Sequence, residues 1–315
     1  MRVGLPRALL YYEFAPLWEA FFKALGADVV VSPPSNRAIL EQGVRATVDE
    51  ACLPVKVALG HIGWLASRCD SVFVPRVVSW QRQAYTCPKL MGLPDVAAAG
   101  LPGQPMLLAP TVDFKKRRHA LTEAALAAAS PITRDRRRVL AALQLALAAQ
   151  ERAAADQGAG RLPAGFDPGG ERADADVTLA LIGHPYSVYD RLISLDLIRR
   201  LREQGARVVT AEMLPREESE STWEGEAKPL YWTFSRRAAG CALNLIHDQR
   251  VDGLVYLVTF GCGPDSLTGE LLVRRVQHEY RMPLLLLTVD EHTGEAGVVT
   301  RIEAFLDLIR WRRAQ

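Results

Sequence analysis

Short apolar runs alternate with stretches of helical periodicity along the first 128 residues. Residues 3–5, 29–31, 71–74 and 106–108 are aliphatic runs of strand length. Between and after them, 17–25, 55–65 and 115–128 carry apolar side chains at helical spacing. The punctuation agrees with this pattern. Gly26 closes the first helix, Ser32-Pro33-Pro34 stops the second strand, and Asn36 is placed to cap a helix whose last turn meets Gly43. Pro54 stands where a first helical turn tolerates it, and Pro75 ends the third strand. Repeated strand, helix, strand order predicts a largely parallel sheet with helices on both faces.

Residues 131–155 are rich in Ala, Leu, Gln and Arg, with apolar groups at Val139, Leu143 and Leu147, and predict one amphipathic connecting helix. The Gly- and Pro-rich stretch 158–170 reads as a surface linker. The pattern then resumes, with strands expected at 177–182, 208–209, 253–258 and 284–289 and helices at 188–204, 231–247, 266–280 and 301–311. The expected architecture is α/β: two Rossmann-like lobes, residues 1–150 and 171–315, with mostly parallel sheets facing across a cleft and a helical connector between them. A weak internal echo supports the pairing of lobes. Gly4-Leu5-Pro6-Arg7 and Gly183-His184-Pro185-Tyr186 each follow a first strand and open a helix.

Charge and composition narrow the function classes. With 38 Lys+Arg against 36 Asp+Glu the chain has no global field to attract a polyanion. The basic stretch 134–138 has no interleaved aromatics and reads as the wet face of a helix, so nucleic acid is not an expected partner. The N-terminus turns charged and proline-containing too early for a signal peptide, and no run approaches the roughly 20 apolar residues that span a bilayer. A cytoplasmic protein without membrane contact is expected. Five cysteines, an odd number, argue against a disulfide framework and for reduced thiols.

Three of those cysteines stand beside a proline at a predicted turn: Glu50-Ala51-Cys52-Leu53-Pro54, Cys87-Pro88-Lys89 and Gly261-Cys262-Gly263-Pro264. A thiol at a helix N-terminus has a lowered pKa and an available thiolate, which metal ligation needs. Thiols brought by separate loops suit a shared iron-sulfur cluster. Spacing alone leaves two rivals open, a zinc site and a lone nucleophilic Cys262 with His184 or His292 as its base. Cys69 and Cys241 lack this context and read as structural thiols.

A resemblance emerges from a set of motifs that runs over almost the whole chain. They are Gly4-Leu5-Pro6-Arg7-Ala8-Leu9, Asp49-Glu50-Ala51-Cys52-Leu53-Pro54-Val55-Lys56, Cys87-Pro88-Lys89, Gly183-His184-Pro185-Tyr186, Leu230-Tyr231-Trp232, Phe260-Gly261-Cys262-Gly263-Pro264-Asp265-Ser266 and Asp290-Glu291-His292-Thr293-Gly294-Glu295. In these the chain resembles the 2-hydroxyacyl-CoA dehydratase family, particularly its short members and the domains associated with ATP-dependent CoA-enzyme activases. The resemblance implies a [4Fe-4S] cluster held by Cys52, Cys87 and Cys262, with a fourth iron position open or filled by a non-cysteine ligand. It implies low-potential electron transfer to an acyl-CoA, with radical dehydration or reduction as the reaction, and a separate ATP-dependent activator as partner. This chain departs from the dehydratases in its short connector, and it lacks the Gly-rich loop of an ATPase.

His184, Glu291, His292 and Glu295 are the candidate proton-carrying residues, while a turn-stabilising role for the acidic group around Gly294 competes with that reading. Tyr186 and Tyr231 offer hydroxyls, and Asp265 reads as the cap of a helix beginning at Ser266. Arg7, Lys56, Arg76 and Lys89 read as capping or salt-bridge residues, or as partners for the phosphates of CoA. Two other functions stand beside the dehydratase: a non-catalytic iron-sulfur electron-transfer or assembly module for a larger activase or reductase, and a two-lobed small-molecule binding protein. A homodimer fits each of them.

Overall fold

The computed structural model describes the chain except for residues 82, 83, 102, 104, 105, 116–118, 164, 165, 168, 170–173 and 223–229. It divides into two compact units, Met1–Ala155 with Tyr231–Thr233, and Asp156–Leu230 with Phe234–Gln315. The expected linker at 158–170 and the start of the expected helix at 115–128 lie partly outside the described residues.

The first unit runs β1 (Arg2–Leu5), α1 (Tyr11–Ala24), β2 (Asp28–Val31), α2 (Arg37–Arg45), α3 (Leu53–Ala66) and β3 (Ser71–Phe73). It continues through β4 (Arg76–Ser79), α4 (Pro88–Met91), α5 (Leu93–Gly100), β5 (Leu107–Leu108), β6 (Thr111–Asp113), α6 (Ala120–Ala129) and most of α7 (Arg136–Gly158). A parallel sheet is ordered β2-β1-β3-β5, with Val3 opposite both Val29 and Ser71. The sequence pattern did not separate β4 or β6. Pro75 and Pro110 each remove a ladder donor, so β3 and β5 stop there and the same two segments pair again as β4 and β6. Trp18, Phe21, Phe22 and Phe73 form an aromatic core, with the Trp18 and Phe73 rings 4.5 Å apart. On α7, Val139 and Leu143 are buried as expected but Leu147 is exposed, and Gln150 bonds the Glu13 carbonyl at 2.9 Å, fastening α7 to α1.

The second unit contains β7 (Val177–Ile182), α8 (Pro185–Val188), α9 (Leu197–Glu203), β8 (Ala206–Thr210), α10 (Arg216–Ser221) and α11 (Thr233–His247). β9 (Gly253–Thr259), α12 (Gly263–Arg275), β10 (Leu284–Val289) and α13 (Glu295–Arg313) complete it. Its parallel sheet is ordered β10-β9-β7-β8, and β9 is buried at every position. Both sheets therefore meet the expectation of parallel α/β lobes.

Several helix boundaries differ from expectation. The helix expected at 188–204 is broken, because the Asp190 carboxylate accepts from the Leu192 and Ile193 amides and Leu195 and Asp196 take left-handed backbone. The helix expected from Tyr231 starts at Thr233, because Tyr231–Thr233 exchanges backbone hydrogen bonds with Tyr85 in the first unit. The helix expected at 301–311 begins earlier, at Glu295, after Gly294.

Helices α2 and α3 approach through reciprocal glycines. A Cβ on Gly43 would lie 1.7 Å from the Lys56 carbonyl oxygen, and one on Gly60 would lie 1.9 Å from that of Ile39. Backbone cannot yield as a flexible side chain can. Gly60→Ala is expected to lower stability by roughly 3 kcal/mol in urea denaturation, whereas Gly297→Ala on α13, with no atom within 4 Å, should leave the midpoint unchanged or raise it slightly.

On the same helix His61 is fully buried. Its Nε2 meets Ser35 Oγ at 2.9 Å, and its Nδ1 has no partner among the described residues. Burial, with the Arg7 charge as a lesser cause, pulls its pKa from the ordinary 6.5 down to about 3. Between those values the unfolded chain binds a proton that the folded chain refuses, so stability falls as pH falls through this window. Folding free energy should drop by about 2 kcal/mol from pH 7 to pH 5 on this account. His61→Gln should remove that component of the slope, measured from urea midpoints across the range.

Candidate functional site

In the first unit Cys52 and Cys87 occupy equivalent local positions. Each is the extended N-cap residue of a helix with proline at its start, Cys52 at φ −66°, ψ 151° before α3 and Cys87 at φ −70°, ψ 155° before α4. Proline lacks an N–H and favours the first helical turn, which is why the chain turns at the thiol. The Lys89 ammonium, two residues after Cys87, donates to the Glu50 carbonyl, two residues before Cys52, at 3.1 Å. Buried Lys56 donates to the Asp49 carbonyl at 3.0 Å. The two lysines thus hold the segment leading into Cys52, a structural use of groups read from sequence as surface or phosphate partners.

The thiols are close enough for Cys52 to raise the pKa of Cys87. Burial is the larger cause of that rise and outweighs the lowering by the Leu90 and Lys89 amides and the Lys89 charge. This corrects the expectation of a depressed pKa at Cys87. The helix N-terminus is present, but removal of the thiolate from water costs more.

The second unit repeats the arrangement twice. His184 is the N-cap of α8 with Pro185 following, and Cys262 is the N-cap of α12, whose first turn contains Pro264. Gly261, with φ of +76°, makes the turn from β9 into Cys262. Asp265 is fully buried inside the first turn of α12. The expected cap at Asp265 is therefore corrected: the helix begins two residues before it, and its carboxylate points into a polar cluster. Oδ2 lies 2.5 Å from His184 Nδ1, while Oδ1 accepts from Tyr256 Oη at 3.1 Å and Ser235 Oγ at 3.4 Å. Burial and the neighbouring carboxylate push the Tyr256 phenol well above its usual range. One ligating atom from each of His184, Cys262 and Asp265 lies within 4.8 Å of the others, and all three residues are buried. A soft sulfur, an imidazole and a carboxylate so placed form a candidate site for a transition metal.

A family model described as the CoA enzyme activase uncharacterised domain (DUF2229) matches residues 2–214. The chain belongs to that family. The family match spans Cys52, Cys87 and His184 and ends before Cys262 and Asp265. No curated protein matches the chain. Among the described residues of this family member, no helix is long and apolar enough to cross a membrane.

The remaining expected site residues lie outside the buried group. Glu295 is exposed and ion-paired with Arg200, His292 is exposed, and Glu291 is half-buried, all in or just after the turn following β10. Asp290 organises that turn by accepting from the His292 amide and the Thr293 hydroxyl, which agrees with the turn-stabilising reading. Tyr186 is buried with its ring 4.8 Å from that of His184, whereas Tyr231 is exposed and stacks on Tyr85 in the first unit. Arg76 binds the Met91 carbonyl and Asp95, and Arg7 binds Ser32. Cys241 is buried, with its pKa pushed up to about 12 by burial, and burial also raises Cys69. Among the described residues no disulfide joins any of the five cysteines.

The Asp265 cluster was missed as a unit because its members come from β9, α8, α11 and α12. The Gly-Cys-Gly-Pro-Asp spacing marked only the last of these. Asp265→Ala would strand the His184, Tyr256 and Ser235 polar groups and is expected to cost about 3–5 kcal/mol. Asp265→Asn should recover part of this by retaining an acceptor, as read by chemical denaturation of the metal-free protein.

Proposed function

We propose that the chain is a metal-thiolate module of a CoA-enzyme activase system, carrying a [4Fe-4S] cluster on Cys52, Cys87 and Cys262 and passing electrons without being the ATPase. What carries this reading is the recurrence of one local design: three cysteines, each an extended N-cap residue at a proline-started helix. Cys69 and Cys241 do not share it.

The donor set fits the group. Thiolates are the usual ligands of iron-sulfur clusters, and Cys52 is near enough to Cys87 to raise its pKa, a proximity that suits two ligands of one centre. When bound, the cluster supplies one-electron transfer at low potential. The protein's own contribution is to hold the thiols. Lys56 and Lys89 fix the segment before Cys52, Gly261 forms the turn at Cys262, and buried Asp265 fixes the adjacent His184. His184 beside Cys262 offers a non-cysteine ligand for the fourth iron position. The family description favours an activase as the partner, with ATP hydrolysis residing there.

A second reading makes the chain itself a dehydratase of 2-hydroxyacyl-CoA type, with His184, Glu291, His292 and Glu295 as proton carriers. One observation favours it, the buried His184 paired with a carboxylate at 2.5 Å, an arrangement suited to orienting an imidazole. The exposed positions of His292 and Glu295 favour the electron-transfer reading instead.

Anaerobic purification should give a brown protein with roughly four irons and matching acid-labile sulfide per chain. Cys52→Ser, Cys87→Ser and Cys262→Ser should each lose most of the chromophore, while Cys69→Ser retains it. A colourless protein that holds zinc and no sulfide would overturn the cluster. Turnover of a 2-hydroxyacyl-CoA by the chain with a chemical reductant would replace the electron-transfer reading with the dehydratase.

A further inference from the structure

The first unit contains an apolar pocket that the cysteine chemistry does not use. It lies beneath the residues that leave β1 and β3, is partly open to solvent, and leaves about 60 Å³ to the centres of water-sized molecules. That is room for several waters. Phe14, Trp18, Phe73, Trp80 and Leu93 are among its walls, and the half-buried Tyr11, with the indole nitrogens of Trp18 and Trp80, supplies the polar side-chain atoms of the lining. Tyr11 Oη is already engaged, donating to Glu19, whose charge is met by Lys23 at 3.0 Å.

A cation stands beside one of the wall residues. Pro6 and Ala8 both line the pocket, and the intervening Arg7 holds its guanidinium carbon 5.7 Å from the centre of the Tyr11 ring. The Arg7 amide donates to Ser32 Oγ at 2.8 Å and Nε donates to the Ser32 carbonyl at 3.2 Å. Those bonds fix the side chain and leave its two terminal nitrogens without a hydrogen-bond partner among the described residues. An apolar hole with an oriented guanidinium beside one of its wall residues is complementary to an apolar tail ending in one anionic head.

We propose that this pocket binds a medium-chain aliphatic monocarboxylate, with the tail among the aromatic walls and the carboxylate on Arg7. The site is independent of the thiols, so the iron content of the protein neither supports nor weakens it.

Sodium hexanoate, octanoate and decanoate, with 1-octanol as the uncharged control, would be titrated into the full chain by calorimetry. Tryptophan fluorescence would follow in parallel, because Trp18 and Trp80 are in the wall. Affinity should rise about fourfold per added methylene, and octanoate should bind about tenfold more tightly than octanol. Arg7→Gln should remove that tenfold preference while octanol binds as before. Ala15→Phe adds bulk at a half-buried wall position and should weaken every ligand at least tenfold, with circular dichroism confirming the fold. Affinity indifferent to chain length, equal binding of octanoate and octanol, or an Ala15→Phe protein that binds as the parent does would each overturn the proposal.

Discussion

The rule that orders this protein's chemistry is steric: proline at the start of a helix forces the residue before it into extended backbone. Cys87 and His184 are that residue, Cys52 and Cys262 stand one position earlier, and all four are extended N-cap residues with ψ between 101° and 155°. A side chain at an N-cap projects from the helix start toward unsatisfied amides and does not stack along the helix. The same device therefore sets three thiols and an imidazole at helix starts and not within a helical register.

Burial then modifies what the helix termini supply. Isolated amides at a helix start favour a thiolate, yet the Cys87 thiol is shifted upward because its desolvation exceeds the lowering by Leu90, Lys89 and the lysine charge. A metal changes that balance, since it replaces the thiol proton with a cation and makes the buried sulfur a compensated charge. A half-buried site of this kind holds a protonated thiol when empty and favours the ligand form when loaded. Cys241, pushed up to about 12 inside α11 by burial that outweighs the Arg237 charge and a Ser219 hydrogen bond, donates its thiol to the Ala211 carbonyl.

Local motifs in the chain announced the longer strands, the helix starts after Asn36 and Cys52 and the three N-cap cysteines, because each depends on residues within a few positions. Asn36 capping the Ile39 amide is such a case, as are Val177–Ile182 and Leu284–Val289, whose apolar runs coincide with β7 and β10. What escaped was nonlocal. Tyr231 looks like the first turn of a helix until Tyr85, 146 positions away, takes its carbonyl at 3.1 Å. Asp265 looks like a cap until the fold sets His184 and Tyr256 against it. The turn at 290–294 was legible as both a proton-carrying group and a loop brace, and the Asp290 hydrogen bonds supply the brace.

The two kinds of thiol support differ in physical character. Helix α3 is buried along nearly its whole first three turns, and its reciprocal glycines lock it against α2, so Cys52 is held by packing that resists displacement in any direction. Cys262 is held instead by a left-handed glycine before it and by a carboxylate network after it. Packing is insensitive to ligand chemistry, whereas a hydrogen-bonded imidazole and carboxylate respond to charge placed on the neighbouring sulfur. The support of Cys52 is thus steric and that of Cys262 electrostatic. Exchange of His184 or Asp265 for uncharged groups should therefore alter the properties of a bound centre more than its occupancy, while disruption of the α2–α3 contact should do the reverse.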